Sequence, residues 1–334
     1  MKEVIEKLLN NISLTQEESR DVMFNIMSGE FNDAQISGFL IALRAKGEKS
    51  EEIAGFARAM REKMTPIDSV EDAIDMCGTG GDALGTFNIS TTASFVVAGA
   101  GVPVAKHGNR SMTSKSGSAD VLTALGVDIT LPPEKVSECI AEIGIGFMFA
   151  PSLHPAMKYA MGARTALGTR TVFNILGPLC NPAGVKRQLM GIFEGSLTDR
   201  VAKVLKKLGS VHAMVVHGYD GLDEISTTAS TKISHLKEDN TIESTAISPS
   251  EFEIEKADLN ELQGGEPQEN ANIITDILNG TDTGKKADIV ALNAGAGIFV
   301  GGKAVSLKEG VSLARESISS GAALEKLQLL AAVQ

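Results

Sequence analysis

The stretch from residue 73 to residue 105 limits the fold more than any other. Ala73-Ile-Asp-Met76 reads as a short strand and runs straight into Cys77-Gly78-Thr-Gly-Gly81-Asp82. Asn88-Ile89-Ser90-Thr91 then opens a helix reaching about Gly99, and Val102 to Ala105 is the next strand. Strand, glycine loop, helix and strand form a βαβ unit, and that crossover joins parallel strands. The alternation continues with helices at Val121–Leu125 and Pro133–Ile143 and a strand at Gly146–Phe149. Strands at Gln188–Phe193 and His212–His217 flank a helix, Leu197–Leu208, that Thr198 or Ser196 would cap. Between about 227 and 256, Ser and Thr alternate with Ile, Leu and Phe, which suits short antiparallel strands at the sheet's edge. Helices are expected at Asn270–Leu278, Lys285–Val300, Leu307–Ser319 and Ala322–Leu330.

The first 64 residues or so carry no strand signal. Val4, Ile5, Leu8 and Leu9 make one apolar face at helical spacing. Thr15 with Glu18, and Asn32 with Gln35, have the spacing of capping boxes, and Ser50 stands ready to cap Glu51–Met64. Four short helices are expected there. His154-Pro155 begins a further helix bearing Tyr159, Arg164 and Leu167, and Asn174 to Pro182 reads as an irregular loop. The expected fold is therefore α/β: a small all-helical domain plus a larger α/β domain with a central, mostly parallel sheet. The helical domain covers 1–68, joined by part of 154–182, and the α/β domain 69–334.

A chain of 334 residues with 43% hydrophobic and 22% charged residues has ample material for a core. Its net charge of −11 argues against a general nucleic-acid or anionic-membrane binder. Three cysteines without framework spacing and a start without signal-peptide character suit a reduced, cytoplasmic protein. The apolar run Ile289–Val300 is too short to span a bilayer.

Against that acidic background one loop is basic. Lys106-His107-Gly108-Asn109-Arg110-Ser111-Met112-Thr113-Ser114-Lys115 and the following Ser-Gly-Ser118-Ala-Asp120 lie between a strand and a helix. Backbone N–H groups of a Gly/Ser run, backed by Lys and Arg, suit a phosphate or pyrophosphate. The Cys77–Asp82 loop lies where a ligand crevice is expected, at a strand's carboxyl end. It is not a dinucleotide fingerprint, since position 83 is alanine, and it lacks the Gly-Lys-Ser/Thr ending of a P-loop. Gly295-Ala-Gly297 fails as a fingerprint too, with Val300 in the last glycine's place. Asn88, Ser90 and Thr91 place more polar side chains at a helix start than capping needs, and Ser90 can offer a hydroxyl to a phosphate-bound Mg²⁺. The adjacent carboxylates Asp223 and Glu224, on a loop with Gly221, suit a hard divalent cation as well as an exposed acidic turn. Arg164 has apolar neighbours, which points to a partly buried guanidinium suited to a carboxylate. His107 and His154 fit a site or a packed core equally well.

Taken in order, Gly78-Thr-Gly-Gly-Asp82, Asn88-Ile-Ser-Thr91, Lys106 to Ser114, Gly117-Ser-Ala-Asp120 and Asp223-Glu224 resemble the anthranilate phosphoribosyltransferase family. The match runs over nearly the whole chain, including Asn174-Ile-Leu-Gly177-Pro178-Leu. The resemblance implies a homodimer acting on two small molecules, 5-phosphoribosyl 1-diphosphate (PRPP) and anthranilate, in the second step of tryptophan biosynthesis. It implies that Gly78, Gly81, Asp82, Thr86, Asn88, Ile89, Ser90, Thr91, Lys106, His107, Gly108, Asn109, Arg110, Ser111, Met112, Thr113, Ser114 and Ser118 hold PRPP. Gly78, Asn109 and Arg164 would face anthranilate, with His107, His154, Gly177 and Pro178 lining its path. Ser90, Asp223 and Glu224 would hold Mg²⁺. No catalytic residue is assigned: displacing pyrophosphate from an anomeric carbon requires no covalent nucleophile, and the sequence does not say whether a side chain takes the amine's proton. A pyrimidine nucleoside phosphorylase would be expected to lack the Asp223-Glu224 pair, and a nucleic-acid-binding relative would carry a basic surface.

Overall fold

The computed structural model describes residues 1–82, 84–111 and 115–334. Met112, Thr113 and Ser114, expected to contact a phosphate, lie outside the described residues, as does Ala83. The chain opens with helices α1 (Lys2–Leu9), α2 (Gln16–Met27), α3 (Asp33–Lys46) and α4 (Ser50–Lys63). Both expected capping boxes form: Thr15 Oγ1 accepts the Glu18 N–H at 3.2 Å and Asn32 Oδ1 the Gln35 N–H at 3.0 Å. Ser50 does not cap α4. The cap is Lys49, whose N–H donates to the Glu52 carboxylate at 2.8 Å. Glu52 is fully buried and also accepts from Leu14 N and Lys46 Nζ, so one carboxylate ties three turns together. Phe39 and Phe56 meet edge to face in the core beneath, with ring centroids 5.8 Å apart.

The expected alternation follows. Strand β1 (Ile74–Gly78), α5 (Ile89–Gly99), β2 (Val104–Gly108), α6 (Ser118–Ala124), α7 (Pro133–Glu138) and β3 (Ile145–Phe149) come first. Helices α8 (Ala150–Leu153), α9 (Lys158–Leu167) and α10 (Phe173–Leu176) interrupt it; α10 forms inside a segment expected to be an irregular loop. Then come β4 (Arg187–Gly191), α11 (Thr198–Lys207), β5 (His212–Gly218), β6 (Thr231–Leu236) and β7 (Ile242–Ile247). The chain closes with α12 (Pro267–Leu278), α13 (Lys285–Val300), α14 (Leu307–Ser319) and α15 (Ala322–Ala331). No helix among the described residues is long and apolar enough to cross a membrane.

The strands form one sheet in the order β3-β2-β1-β4-β5-β6-β7, with β6 and β7 antiparallel at the edge and the rest parallel. The order reverses between β1 and β4, which puts a crevice at the carboxyl ends of the strands. One face packs against α5 and α13, with α12 and α15 extending the same core. The other face continues into the core of α1–α4, with Ala160 and Ala163 of α9 and Phe173 and Leu176 of α10 in the same cluster.

Two expectations change with the strands. First, β2 runs to Gly108 rather than ending at Ala105, so Lys106 and His107 are buried strand residues, not loop residues. Their polarity hid the strand; tertiary partners make it affordable. Second, neither Thr198 nor Ser196 caps α11: the cap position is Leu197, and Thr198 Oγ1 donates to the Gly195 carbonyl at 3.1 Å.

The pairing of β1 with β2 is unusual. Its only paired position is Ile74 with Val104, whereas β1–β4, β2–β3 and β4–β5 each pair at 5 positions. Side chains satisfy the separated backbones instead. Lys106 Nζ donates to the Met76 carbonyl at 2.6 Å, the His107 N–H to Asp75 Oδ1 at 3.2 Å, and Asn181 Nδ2 to the Ala105 carbonyl at 2.9 Å. Asp75 is completely buried and its Oδ2 has no hydrogen-bond partner among the described residues. The two strands thus diverge toward the crevice around a polar wedge.

Candidate active site

Two strand-end glycines make room for Asp223. A Cβ on Gly78 would lie 2.5 Å from Asp223 Oδ2, and one on Gly191 only 1.5 Å from the Asp223 carbonyl oxygen. A side chain at Gly78 would displace the carboxylate, and one at Gly191 the backbone that carries it. Gly191 carried no signal in the sequence, which placed it inside a strand running to Phe193; the structure ends β4 there.

Asp223 Oδ2 accepts the Gly80 N–H at 2.7 Å, and Glu224 Oε1 accepts the Ser90 N–H, at the start of α5, at 3.2 Å. Both carboxyls titrate far above their usual range. Asp223 is pushed up to about 7 by burial and then by the charge of Asp82. Glu224 is pushed up to about 8 by burial and then by Asp223, with Lys106 pulling the other way. Three acidic groups thus crowd one corner without enough positive charge to balance them. Asn293 of α13 fixes the adjoining backbone, exchanging hydrogen bonds of 2.9 Å with Ile225. Among the described residues no group of three or more His, Cys, Asp or Glu is arranged to enclose a metal ion. Ser90, Asp223 and Glu224, the residues expected to hold Mg²⁺, are neighbours through the bond from the Ser90 N–H to Glu224 Oε1, and the side chains they could offer a cation end in oxygen.

The rest of the first half of the site is mostly backbone. Ile89 and Thr91, both expected to contact PRPP, are buried, each 1% exposed. Asn88 sits at the cap position of α5 without capping it; its side chain bonds the Ser116 carbonyl and Asn270 Nδ2. Thr86 pairs with Gln263 in an isolated bridge. Arg110 is paired with Asp120 at 2.8 Å, and Asp120 also accepts the Ser111 and Gly117 N–H groups, closing the loop on itself. Ser118 Oγ donates to the Asn109 carbonyl, leaving Asn109 and Arg110 at the exposed rim beyond Gly108. Lys106 lies below these loops, its pKa lowered by burial, with the Asp75 and Glu224 charges opposing that shift.

His107 and His154 meet on the other side of β2. Their Nε2 atoms are 3.2 Å apart, so one ring donates and the other accepts. Burial, then the neighbouring His154, pushes His107 down to about 3, and burial pushes His154 down to about 4. The two rings lie beside the backbone of Gly177 and Cys180. The histidines and Gly177 expected to share a site are thus brought together. Pro178 is anchored by its carbonyl, which accepts from Gln188 Nε2 at 2.7 Å.

Because both histidine pKa values are depressed below the unfolded value near 6.5, the pair's contribution to stability is complete above that pH. It is lost as pH falls toward 4 and 3. A melting-temperature series from pH 7 to pH 4 should therefore fall less steeply for His107→Gln/His154→Gln than for the parent. Parallel curves would mean the pair is not buried and neutral.

Arg164 projects from α9 as a half-buried cation. Its guanidinium lies 5.2 Å from the Phe173 ring centroid and 3.8 Å from Met161 Sδ, and burial lowers its pKa. No carboxylate among the described residues pairs with it. The sequence reading missed Asp75, Asn181, Gln188, Asn270 and Asn293, whose roles depend on contacts between distant segments; only the Asn-Pro pair at 181 marked any of them as a turn.

The helical bundle domain of a glycosyl transferase family matches residues 2–64, and that family's a/b domain matches residues 70–324. The anthranilate phosphoribosyltransferase of Alkaliphilus metalliredigens is 52% identical, over 99% of this chain and 97% of its own. The crystal structure of the Thermus thermophilus enzyme of that name is 44% identical and superposes with a TM-score of 0.94, covering 98% of both chains. The Saccharomyces cerevisiae enzyme in complex with PRPP and Mg is 31% identical with a TM-score of 0.89, covering 98% of this chain and 95% of that one. With the bundle, the sheet and the order of the loops all in agreement, this chain belongs to the anthranilate phosphoribosyltransferase family.

Proposed function

We propose that this chain transfers the 5-phosphoribosyl group of PRPP to the amine of anthranilate, yielding N-(5-phosphoribosyl)anthranilate and pyrophosphate. The observation that carries the reading is the acidic corner: Asp223 and Glu224, their pKa values raised to about 7 and about 8, meet backbone N–H groups at Gly80 and Ser90. Carboxylates held that close suit a divalent cation that keeps several positions for water and phosphate oxygens, as Mg²⁺ does. Ser90, Asp223 and Glu224 are its proposed holders. When bound, Mg²⁺ supplies neutralisation of the charge that grows on departing pyrophosphate.

The protein's own groups do the rest. The bond between the anomeric carbon and pyrophosphate breaks, the bond to the amine nitrogen forms, and the amine loses a proton. Gly78, Gly81, Asp82, Thr86, Asn88–Thr91, Lys106–Ser114 and Ser118 are the proposed PRPP site. Arg164 and Asn109 are the proposed contacts of the anthranilate carboxylate side. His107 and His154, kept neutral, line the approach with Gly177 and Pro178 and add no competing charge. Positioning two bound reactants supplies much of such a rate enhancement.

A homodimer through the helical part belongs to the same reading, since Leu9, Ile12, Ile41 and Tyr159 expose 63, 53, 42 and 40% of their surface there. The deciding assay mixes enzyme, PRPP, anthranilate and Mg²⁺ and follows anthranilate fluorescence. No loss of signal, or phosphorolysis of a pyrimidine nucleoside in its place, refutes the proposal.

Lys106 has a double role in it. Its Nζ is bonded to the Met76 carbonyl at 2.6 Å, and its charge opposes the rise in the Glu224 pKa. Lys106→Gln should raise the PRPP KM and also lower the melting temperature, by on the order of 2–4 °C. A KM effect with unchanged melting would assign the amine to phosphate alone.

A further inference from the structure

Arg170 stands outside every group of residues considered so far. It lies in the short segment between α9 and α10 and is exposed, yet its guanidinium is fixed at both ends. One face stacks over the Phe193 ring, 4.3 Å from the centroid, and Nη2 donates to the Gly81 carbonyl. A Cβ on Gly81, whose φ is +79°, would come within 3.3 Å of that nitrogen. Phe193 is itself fastened to the glycine loop, because its N–H donates to Thr79 Oγ1 at 3.0 Å. From the other side, Arg44 of α3 donates to Thr169 Oγ1 at 2.5 Å and to the Arg170 carbonyl at 2.6 Å. A continuous chain of contacts thus leads from the helical part, through the segment just after Arg164, to the loop proposed for PRPP.

We propose that Arg170 is a positioning residue that couples the two substrate sites by latching the segment following α9 onto the Gly80-Gly81 loop. The inference rests on the transferase reading. A planar guanidinium suits the task because it stacks and donates at once, which an ammonium cannot do. Ordering of the glycine loop by a pyrophosphate group then biases the position of α9 and of Arg164, and by reciprocity an occupied acceptor site favours the ordered loop.

The test uses the full chain and ligands that cannot react together. Anthranilate is titrated by fluorescence with and without saturating inorganic pyrophosphate and Mg²⁺. In the parent protein pyrophosphate should shift anthranilate affinity at least about fivefold. In Arg170→Ala the shift should fall within twofold of none, with Arg170→Lys in between and the melting temperature unchanged for so exposed a residue. If Arg170→Ala does not fold, Phe193→Leu removes the stacking partner and should reduce the same shift. A parent protein without coupling, or a full shift in the variants, overturns the proposal. A parent that turns over PRPP and anthranilate yet shows no shift refutes the latch alone; one that turns over neither refutes the transferase reading first.

Discussion

Changing Asp223 to Asn together with Glu224 to Gln should lower Mg²⁺-dependent kcat/KM by on the order of 10²- to 10³-fold, the range that follows loss of one donor to a developing oxyanion. The fold should survive. Both carboxyls have pKa values raised, to about 7 and about 8, above their unfolded values near 4. A raised pKa contributes stability at low pH that disappears as pH rises through the folded value, so at pH 8 the ionised pair works against the fold. In metal-free buffer at that pH, the neutral double variant should therefore melt no lower than the parent. Full activity at limiting Mg²⁺ would remove these residues from the metal site. A large drop in melting temperature would make them structural groups.

The second large effect belongs to Arg164. Charge-assisted hydrogen bonds to a carboxylate are worth about 1.5–3 kcal/mol, or roughly 10- to 150-fold in affinity. Arg164→Ala should raise the anthranilate KM by that factor and leave the PRPP KM nearly unchanged. Stability should change little, because among the described residues the guanidinium makes no ion pair; it lies near the Phe173 ring and Met161 Sδ. Arg164→Lys should recover only part of the loss, since an ammonium cannot match a planar carboxylate at two points. Unchanged KM values with a lower melting temperature would make Arg164 a brace between α9 and α10.

What the sequence disclosed and what it hid divide along the range of the interactions. Thr15 with Glu18, and Asn32 with Gln35, are contacts three residues apart, and they form as their spacing predicts. The βαβ alternation, the antiparallel edge and the acidic pair at Asp223-Glu224 were legible for a similar reason: each is a local pattern. The carboxyl ends of β1 and β2 were not. Lys106 and His107 look like loop residues until Met76, Asp75 and Asn181 are brought beside them, and those partners lie 30 to 76 residues from the groups they satisfy. Gly191 shows its purpose only once the Asp223 carbonyl rests on it. Arg170 reaches Gly81 across 89 residues, a separation that no periodicity reports.

The divergence of β1 and β2 sets the routes by which this crevice can be remodelled. Asp75, Lys106 and Asn181 hold the strands apart as one unit, so replacing any one of them strands a buried charge or carbonyl in a medium that cannot solvate it. Their costs are coupled, and a redesign would have to exchange all three in a single step. Gly177 differs: a Cβ there would meet nothing within 4 Å. If Gly177 lines the acceptor's path as proposed, it is the position where a side chain can be added without moving its neighbours, while the spacing between the glycine loop and Asn109 resists gradual change.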